Sequence, residues 1–356
     1  MIGILGYNGL IGQSVVHYLC GKYSIRCGSR SISKNIINSD IEYIQVNAED
    51  DNSLENFCRG CKVVVNCIGP SYFFSKRIIE IIKSMGISYV DAFGVNLFDL
   101  KDQISIPVII GAGSIPGLSG ILPVWAKQNE EYETIKIFAG GKEKLTLTAC
   151  EDLLMSILNK FGKADMYYYD NTIKREQESI ELPEVFLDNA KLCPYLTEEL
   201  IQSASYCGIK ELHWFNVQYY PEYNEIMSRA ILKLVRDKSP SNLRKVAKEV
   251  ISNLSEGNLE NDFTYRIVVE TGTMVGLQKN IYAWESEDSY CINGFIAASC
   301  AEILYSKHYE NGIYWPFQIL NCQSVVGNLV EKGVLRENKL FNFKGDIDTK
   351  WEDDEV

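Results

Sequence analysis

The sequence predicts a doubly wound, parallel α/β sheet followed by a second α+β domain that contains an antiparallel sheet. Three observations predict it. Met1 to Leu5 is a short apolar run that meets evenly spaced glycines, Gly6, Gly9 and Gly12, and then a helical pattern. From there to Ile110 short apolar runs alternate with helical spacings six times, the pattern of βα units on a parallel sheet. Beyond Gly117 that alternation gives way to mixed helices and alternating strands.

The first strand, Met1 to Leu5, is apolar throughout, as a strand covered on both faces must be. The turn that follows, Gly6, Tyr7, Asn8, Gly9, Leu10, Ile11 and Gly12, opens a helix carried by Val15, Val16 and Leu19. In a strand-turn-helix of this kind the first glycine makes the turn, the second admits a pyrophosphate to the backbone, and the third lets the helix pack on the strand. The helix N-terminus supplies amide donors and the positive end of its dipole. The spacing is G-x-x-G-x-x-G rather than G-x-G-x-x-G, so its context decides, and the context is a Rossmann fold. A second strand, Ser24 to Cys27, ends in Gly28, Ser29, Arg30 and Ser31, with Lys34 close behind. NAD-selective sites place a carboxylate here, whereas Arg30 and small hydroxyls suit a 2′-phosphate; NADP(H) is the expected cofactor.

A third strand spans Ile41 to Val46, a helix Asp51 to Cys58, and a fourth, central strand Lys62 to Cys67. That strand runs out through Cys67 into Gly69 and Pro70, at the carboxyl edge where open α/β sheets bind ligands. Phe74 to Met85 has helical spacing, Ser88 to Val90 reads as a strand, Leu97 to Asp102 as a short helix and Val108 to Ile110 as another strand. Further on, the pattern predicts a strand Thr134 to Ala139 and helices Ala149 to Phe161, Glu198 to Tyr206 after a Thr197 cap, Ile226 to Arg236 and Leu243 to Leu254. Phe263 to Thr271 and Lys279 to Glu285 alternate as a hairpin around Gly276.

The length of 356 residues suits two cores at the usual ~100–200 residues per domain. A net charge of -12 argues against a nucleic-acid partner, because such binding draws on Lys and Arg displacing counterions. Nothing approaches the ~18 consecutive apolar residues of a membrane span, so no membrane partner is expected. Eleven cysteines without a basic-apolar leader point to reduced thiols and an expected cytoplasmic location. Cys58 and Cys61 have redox or zinc spacing but lack a second ligand pair, so no metal is expected. The run Trp351 to Val356 is acidic and expected to be solvated.

Three segments together resemble the saccharopine dehydrogenase-like reductases: Gly6 to Gly12 with Arg30; Val63 to Pro70 with the Gly86-to-Gly94 stretch that holds Tyr89, Val90 and Asp91; and the Gly111-to-Gly117 turn. Ala297 to Leu304 and Gly312 to Pro316 add a looser match. The resemblance implies NADP(H) binding through the N-terminal fold and a C-terminal part that returns to it. It does not single out the bond reduced, since relatives act on imines, on amino-acid condensation products and, in some branches, on enoyl groups. The family often has a Glu after the glycine of the Asp-x-x-Gly element, where this chain has Val95, so no substrate contact carries over there.

The expected division is a Rossmann NAD(P)-binding domain over 1–117, a substrate or dimerisation domain over 118–289, returning helices over 290–333 and an acidic tail over 334–356. The expected activity is NADPH-dependent reduction of a C=N bond in a small amino-acid- or peptide-derived intermediate, free or carrier-bound. Two alternatives stay open, reduction of a C=C bond and a non-catalytic dinucleotide sensor. A homodimer through the second sheet is also left open.

Reduction calls for a proton donor beside the nicotinamide. Three candidates emerge. His213, on a strand of the second domain, is a catalytic donor or a packed histidine; His17, on the helix after the glycine turn, and His308, at the end of the returning helix, read as structural. Tyr72 follows Gly69 and Pro70 at the sheet edge, where its hydroxyl would orient substrate or donate. Asp91, ending the fifth strand, either points into the site or caps the next turn. No nucleophile-elbow, zinc-protease or phosphate-loop motif is present.

Overall fold

A computed structural model describes residues 1–32, 41–129, 133–142, 145–177, 179–186, 190–220, 222–255, 264–272, 278–338 and 343–346. Lys34, Gly276 and Trp351 to Val356 lie outside them.

The first domain runs β1 (Ile2–Leu5), α1 (Leu10–Leu19), β2 (Ile25–Ser29), β3 (Glu42–Gln45), α2 (Asp51–Cys58), β4 (Val63–Asn66), α3 (Ser71–Ser84), β5 (Ser88–Asp91), a 3₁₀ helix (Val95–Gln103) and β6 (Pro107–Ile109). Its strands β1 and β4 are buried at every position, as parallel strands under helices on both faces must be. The second domain follows with α4 (Leu118–Asn129), β7 (Thr134–Gly141), α5 (Leu147–Leu158), β8 (Gly162–Ala164), β9 (Met166–Tyr169), β10 (Thr172–Arg175), β11 (Lys191–Thr197), α6 (Glu198–Cys207), β12 (Glu211–Gln218), α7 (Tyr223–Arg236), α8 (Pro240–Ser255), β13 (Tyr265–Gly272) and β14 (Gln278–Ser286). The chain closes with α9 (Ser289–Ser306), β15 (Gly312–Tyr314), α10 (Pro316–Ile319), α11 (Cys322–Glu331), β16 (Arg336–Glu337) and β17 (Phe343–Asp346).

The first sheet is wholly parallel in the order β15-β6-β5-β4-β1-β2-β3. This is the Rossmann order extended by β15, and the direction of winding reverses between β1 and β4. Right-handed crossovers therefore send α1 and α3 to opposite faces, and the loops after β1 and β4 part to leave a crevice. The largely apolar α9 covers β4 and β5 and packs on α1. That approach is close: a Cβ on Gly294 would lie 2.1 Å from Ser14 Oγ.

The second sheet runs β10-β9-β12-β7-β13-β14-β16, with β11 on β12 and β17 on β14. It is mixed rather than purely antiparallel, because β7 and β12 pair in parallel across a connection that contains α5 and α6. Within the stretch expected as tail, β16 and β17 pair with β14. Thr197 caps α6 as expected, its Oγ1 accepting from Leu200 N at 3.2 Å. One hydrophobic core joins residues of both domains, from Ile2 and Val64 to Trp214 and Ile267, so the sheets are held against each other. No described helix is long and apolar enough to cross a membrane.

Candidate active site

The glycine turn is built by backbone contact. Gly6 has φ +78°, in the left-handed region, and a Cβ there would lie 2.8 Å from Cys67 O on the loop after β4. A Cβ on Gly12 would lie 2.4 Å from Gly6 O, so only glycine lets α1 begin against the turn. Gly9 is different: its Cβ would meet nothing nearer than 3.5 Å. It is the N-cap of α1, with no side-chain cap, which leaves the first amides of the helix for a ligand. Asn8 Nδ2 donates to Ser29 Oγ at 2.8 Å and to Ser31 O at 2.6 Å, tying the turn to the end of β2. Gln45 Nε2 donates to Arg30 O at 3.0 Å and holds that backbone, with the Arg30 side chain exposed beside it. These residues fit a dinucleotide with a phosphorylated ribose at Arg30.

Along the crevice a cavity of about 1340 Å³ opens between the domains. It exceeds the ~300–1,000 Å³ of an ordinary ligand pocket and has room for a cofactor and a second ligand. Asn8, Gly9, Leu10 and Ile11 line one end, with Asn66, Cys67, Gly69 and Asp91 from the edges of β4 and β5. The far wall is one face of α5, where Ala149, Asp152, Leu153, Ser156 and Ile157 follow helical spacing, together with β11, β12 and α7.

Asp152 stands where the two domains meet. Its Oδ1 accepts from Ser71 N at 2.7 Å and from Ser71 Oγ at 3.3 Å, at the start of α3. Its Oδ2 lies over Gly69, where an added Cβ would be 3.1 Å away. Burial, with Asp91 nearby, outweighs these donors and pushes its carboxyl up to about 7. A second carboxyl, Glu199 on α6, is also pushed up to about 7 by burial. It does not line the cavity: it accepts from Gly117 N at 2.8 Å and Ser119 Oγ at 2.5 Å and anchors the start of α4.

Residues 2–105 match the family model described as the saccharopine dehydrogenase NADP binding domain. The chain carries that domain. It is an NAD(P)-dependent oxidoreductase, and NADP(H) is its cofactor. Among solved structures, the oxidoreductase is similar to an apo, histidine-tagged saccharopine dehydrogenase (L-Glu forming) from Saccharomyces cerevisiae, at 13% identity and TM-score 0.62. That match covers 97% of this chain and 99% of the other and shows a common fold across both domains. A short-chain dehydrogenase/reductase from Veillonella parvula in complex with NADP is 20% identical over 25% of this chain and 45% of its own, at TM-score 0.24. A uronate dehydrogenase from Agrobacterium tumefaciens gives 16%, 26%, 40% and 0.24 in the same order, and neither of these two bears on the argument. Comparison with curated proteins gives no match.

The fold of the oxidoreductase brings Gly6 to Gly12, Ser29 to Ser31, Cys67, Gly69, Pro70 and Asp91 to one sheet edge. Tyr7 is the exception within the turn, since its ring is buried against Tyr43 at 5.3 Å and contributes only backbone there. Asp91 reaches the cavity wall, but its carboxylate is occupied. Oδ2 accepts from Asn66 Nδ2 at 3.0 Å, Ser75 Oγ at 2.7 Å and Tyr89 OH at 2.6 Å, while Oδ1 accepts from Phe93 N at 3.0 Å. This is the geometry of a carboxylate that anchors the turn after β5, the second of its two sequence readings. Tyr72, half-buried, is not among the residues that line the cavity. Its ring packs on Phe93 at 5.8 Å, and burial, followed by the nearby Asp152, pushes its hydroxyl up.

His213 is corrected outright. Side chains alternate across a strand, and Asn216 and Gln218 of β12 face the cavity, so His213 faces away from it on the other side of the sheet. There its Nδ1 meets Glu176 Oε2 at 2.6 Å, its Nε2 meets Glu211 Oε1 at 2.7 Å, and its ring stacks on Tyr167 at 4.2 Å. Replacing His213 by Ala would leave two carboxylates around an empty, buried site. The expected cost is about 2–4 kcal/mol in chemical denaturation, with NADPH affinity unchanged.

Asp152 was missed because its signal is faint, a carboxylate within the largely apolar helix Leu147–Leu158. The Cys58 and Cys61 thiols are buried and pushed up by that burial, Cys58 to about 12, which suits packing rather than thiolate chemistry. For Arg30, Arg30→Ala is expected to weaken NADPH binding by about 10–100-fold in a fluorescence titration, with NADH binding unchanged.

Proposed function

We propose that the chain is an NADPH-dependent reductase of a C=N bond in a small amino-acid- or peptide-derived intermediate, with Asp152 as proton donor. The observation that supports it most is Asp152 itself, a carboxyl poised near neutrality in the interdomain cavity, beside Gly69 at the edge of β4. The chemistry the cofactor supplies when bound is a hydride, delivered to the carbon of the C=N bond. Asp152 gives its proton to the imine nitrogen, so the product is an amine and Asp152 is left as a carboxylate. Donors from Ser71 hold Oδ1 and orient the group, and enclosure by α3 and α5 keeps the proton on it near pH 7. The open mouth of the cavity returns a proton from water. A sensor would need no such acid.

The test is NADPH oxidation with 3,4-dihydroisoquinoline, a cyclic imine, in parallel with crotonyl thioester as an enoyl probe. Turnover of the imine supports the proposal; turnover of the enoyl probe alone, or of neither, overturns it.

A further inference from the structure

We infer that the site takes an imine with an apolar body and no free carboxylate, so that the only charge the substrate develops is the positive one on nitrogen. This rests on the reductase proposal and narrows its substrate. Amino-acid-derived substrates then enter only with the carboxyl removed or masked as an amide or ester.

The first observation is electrostatic. Three carboxyl groups line the cavity, Asp91, Asp152 and Asp165, and among the described residues no Lys, Arg or His does. Enclosed substrate carboxylates need such partners, usually an Arg fork that replaces the lost water. Here a carboxylate would meet the acid groups of Asp152 and Asp165 and neutral amides, Asn216, Gln218 and Asn224, and no cation among the described residues. A nitrogen that gains a proton from Asp152 instead becomes its ion-pair partner.

The second observation is the apolar wall, independent of the charges. Leu145, Leu153, Phe161, Met227 and Ile231 face the same space. Leu232 on α7, which also lines it, is 65% exposed, so apolar surface stands in water beside the cavity. Large apolar side chains held in water around a cavity mark a site for an apolar ligand.

The test is calorimetric binding to the full chain saturated with NADPH, using 1,2,3,4-tetrahydroisoquinoline and its 1-carboxylate as probes. The free amine is expected to bind at least about tenfold more tightly. Ser228→Lys, which places a cation on the cavity face of α7 at an exposed helical position, is expected to narrow that gap to about threefold or less. Equal or tighter binding of the carboxylate, or binding of neither probe, overturns the inference. An amine preference without oxidation of NADPH by 3,4-dihydroisoquinoline leaves the substrate class standing and removes the reductase proposal alone.

Discussion

Asp152→Asn is expected to lower kcat for 3,4-dihydroisoquinoline by about 100- to 1,000-fold while NADPH affinity stays within about twofold, the range typical for loss of a general acid. Asn keeps an oxygen that can accept from Ser71 N, so the junction between α3 and α5 is retained and only the proton is lost. The pH profile separates chemistry from packing. An acid acts in its protonated form, so with a carboxyl near 7 the wild-type rate falls about tenfold per unit above that pH. In Asp152→Asn that limb disappears. Stability carries a second signature. A carboxyl raised from 3.8 to about 7 by folding binds its proton more strongly in the folded state, so the folded chain loses stability as pH rises through that window. The substitution flattens this slope. A loss of stability with an unchanged pH limb would make Asp152 a helix cap and nothing more.

Gly12→Val is expected to abolish NADPH binding and to cost about 2–3 kcal/mol of stability, read by fluorescence titration and chemical denaturation. The added Cβ would lie 2.4 Å from Gly6 O and 2.6 Å from Tyr7 Cα, both backbone atoms. The only relief is to move α1 off the turn, which removes its N-terminal amides from the phosphate position. Gly9→Ala is the matched control. Its Cβ would have ordinary room, 3.5 Å from the nearest atom, so the fold is expected to hold. Its methyl group would nonetheless stand where the backbone must meet the pyrophosphate, and NADPH affinity is expected to fall by about tenfold or more. Equal effects of the two substitutions on stability would show that the glycines serve the fold alone.

What the sequence by itself determined is the nucleotide half. There each signal is local: an apolar strand must run into Gly6, Gly9 and Gly12 within a few residues, and Arg30 must follow the second strand. Parallel strands covered on both faces are continuous apolar runs, so β1 and β4 could be read directly. The tertiary structure decided the rest, because it turns on which face or which neighbour a residue meets. His213 passed as a donor by composition, and the alternation of β12 places it across the sheet from the cavity. Asp91 was legible as a residue of the sheet edge, but only the convergence of Asn66, Ser75, Tyr89 and Phe93 on its oxygens shows that it is occupied. Asp152 is 81 residues from Ser71 and acquires its acidity from being enclosed against it. Burial and electrostatic neighbourhood are properties of the packed chain, and a proton donor is made by them rather than by its residue type.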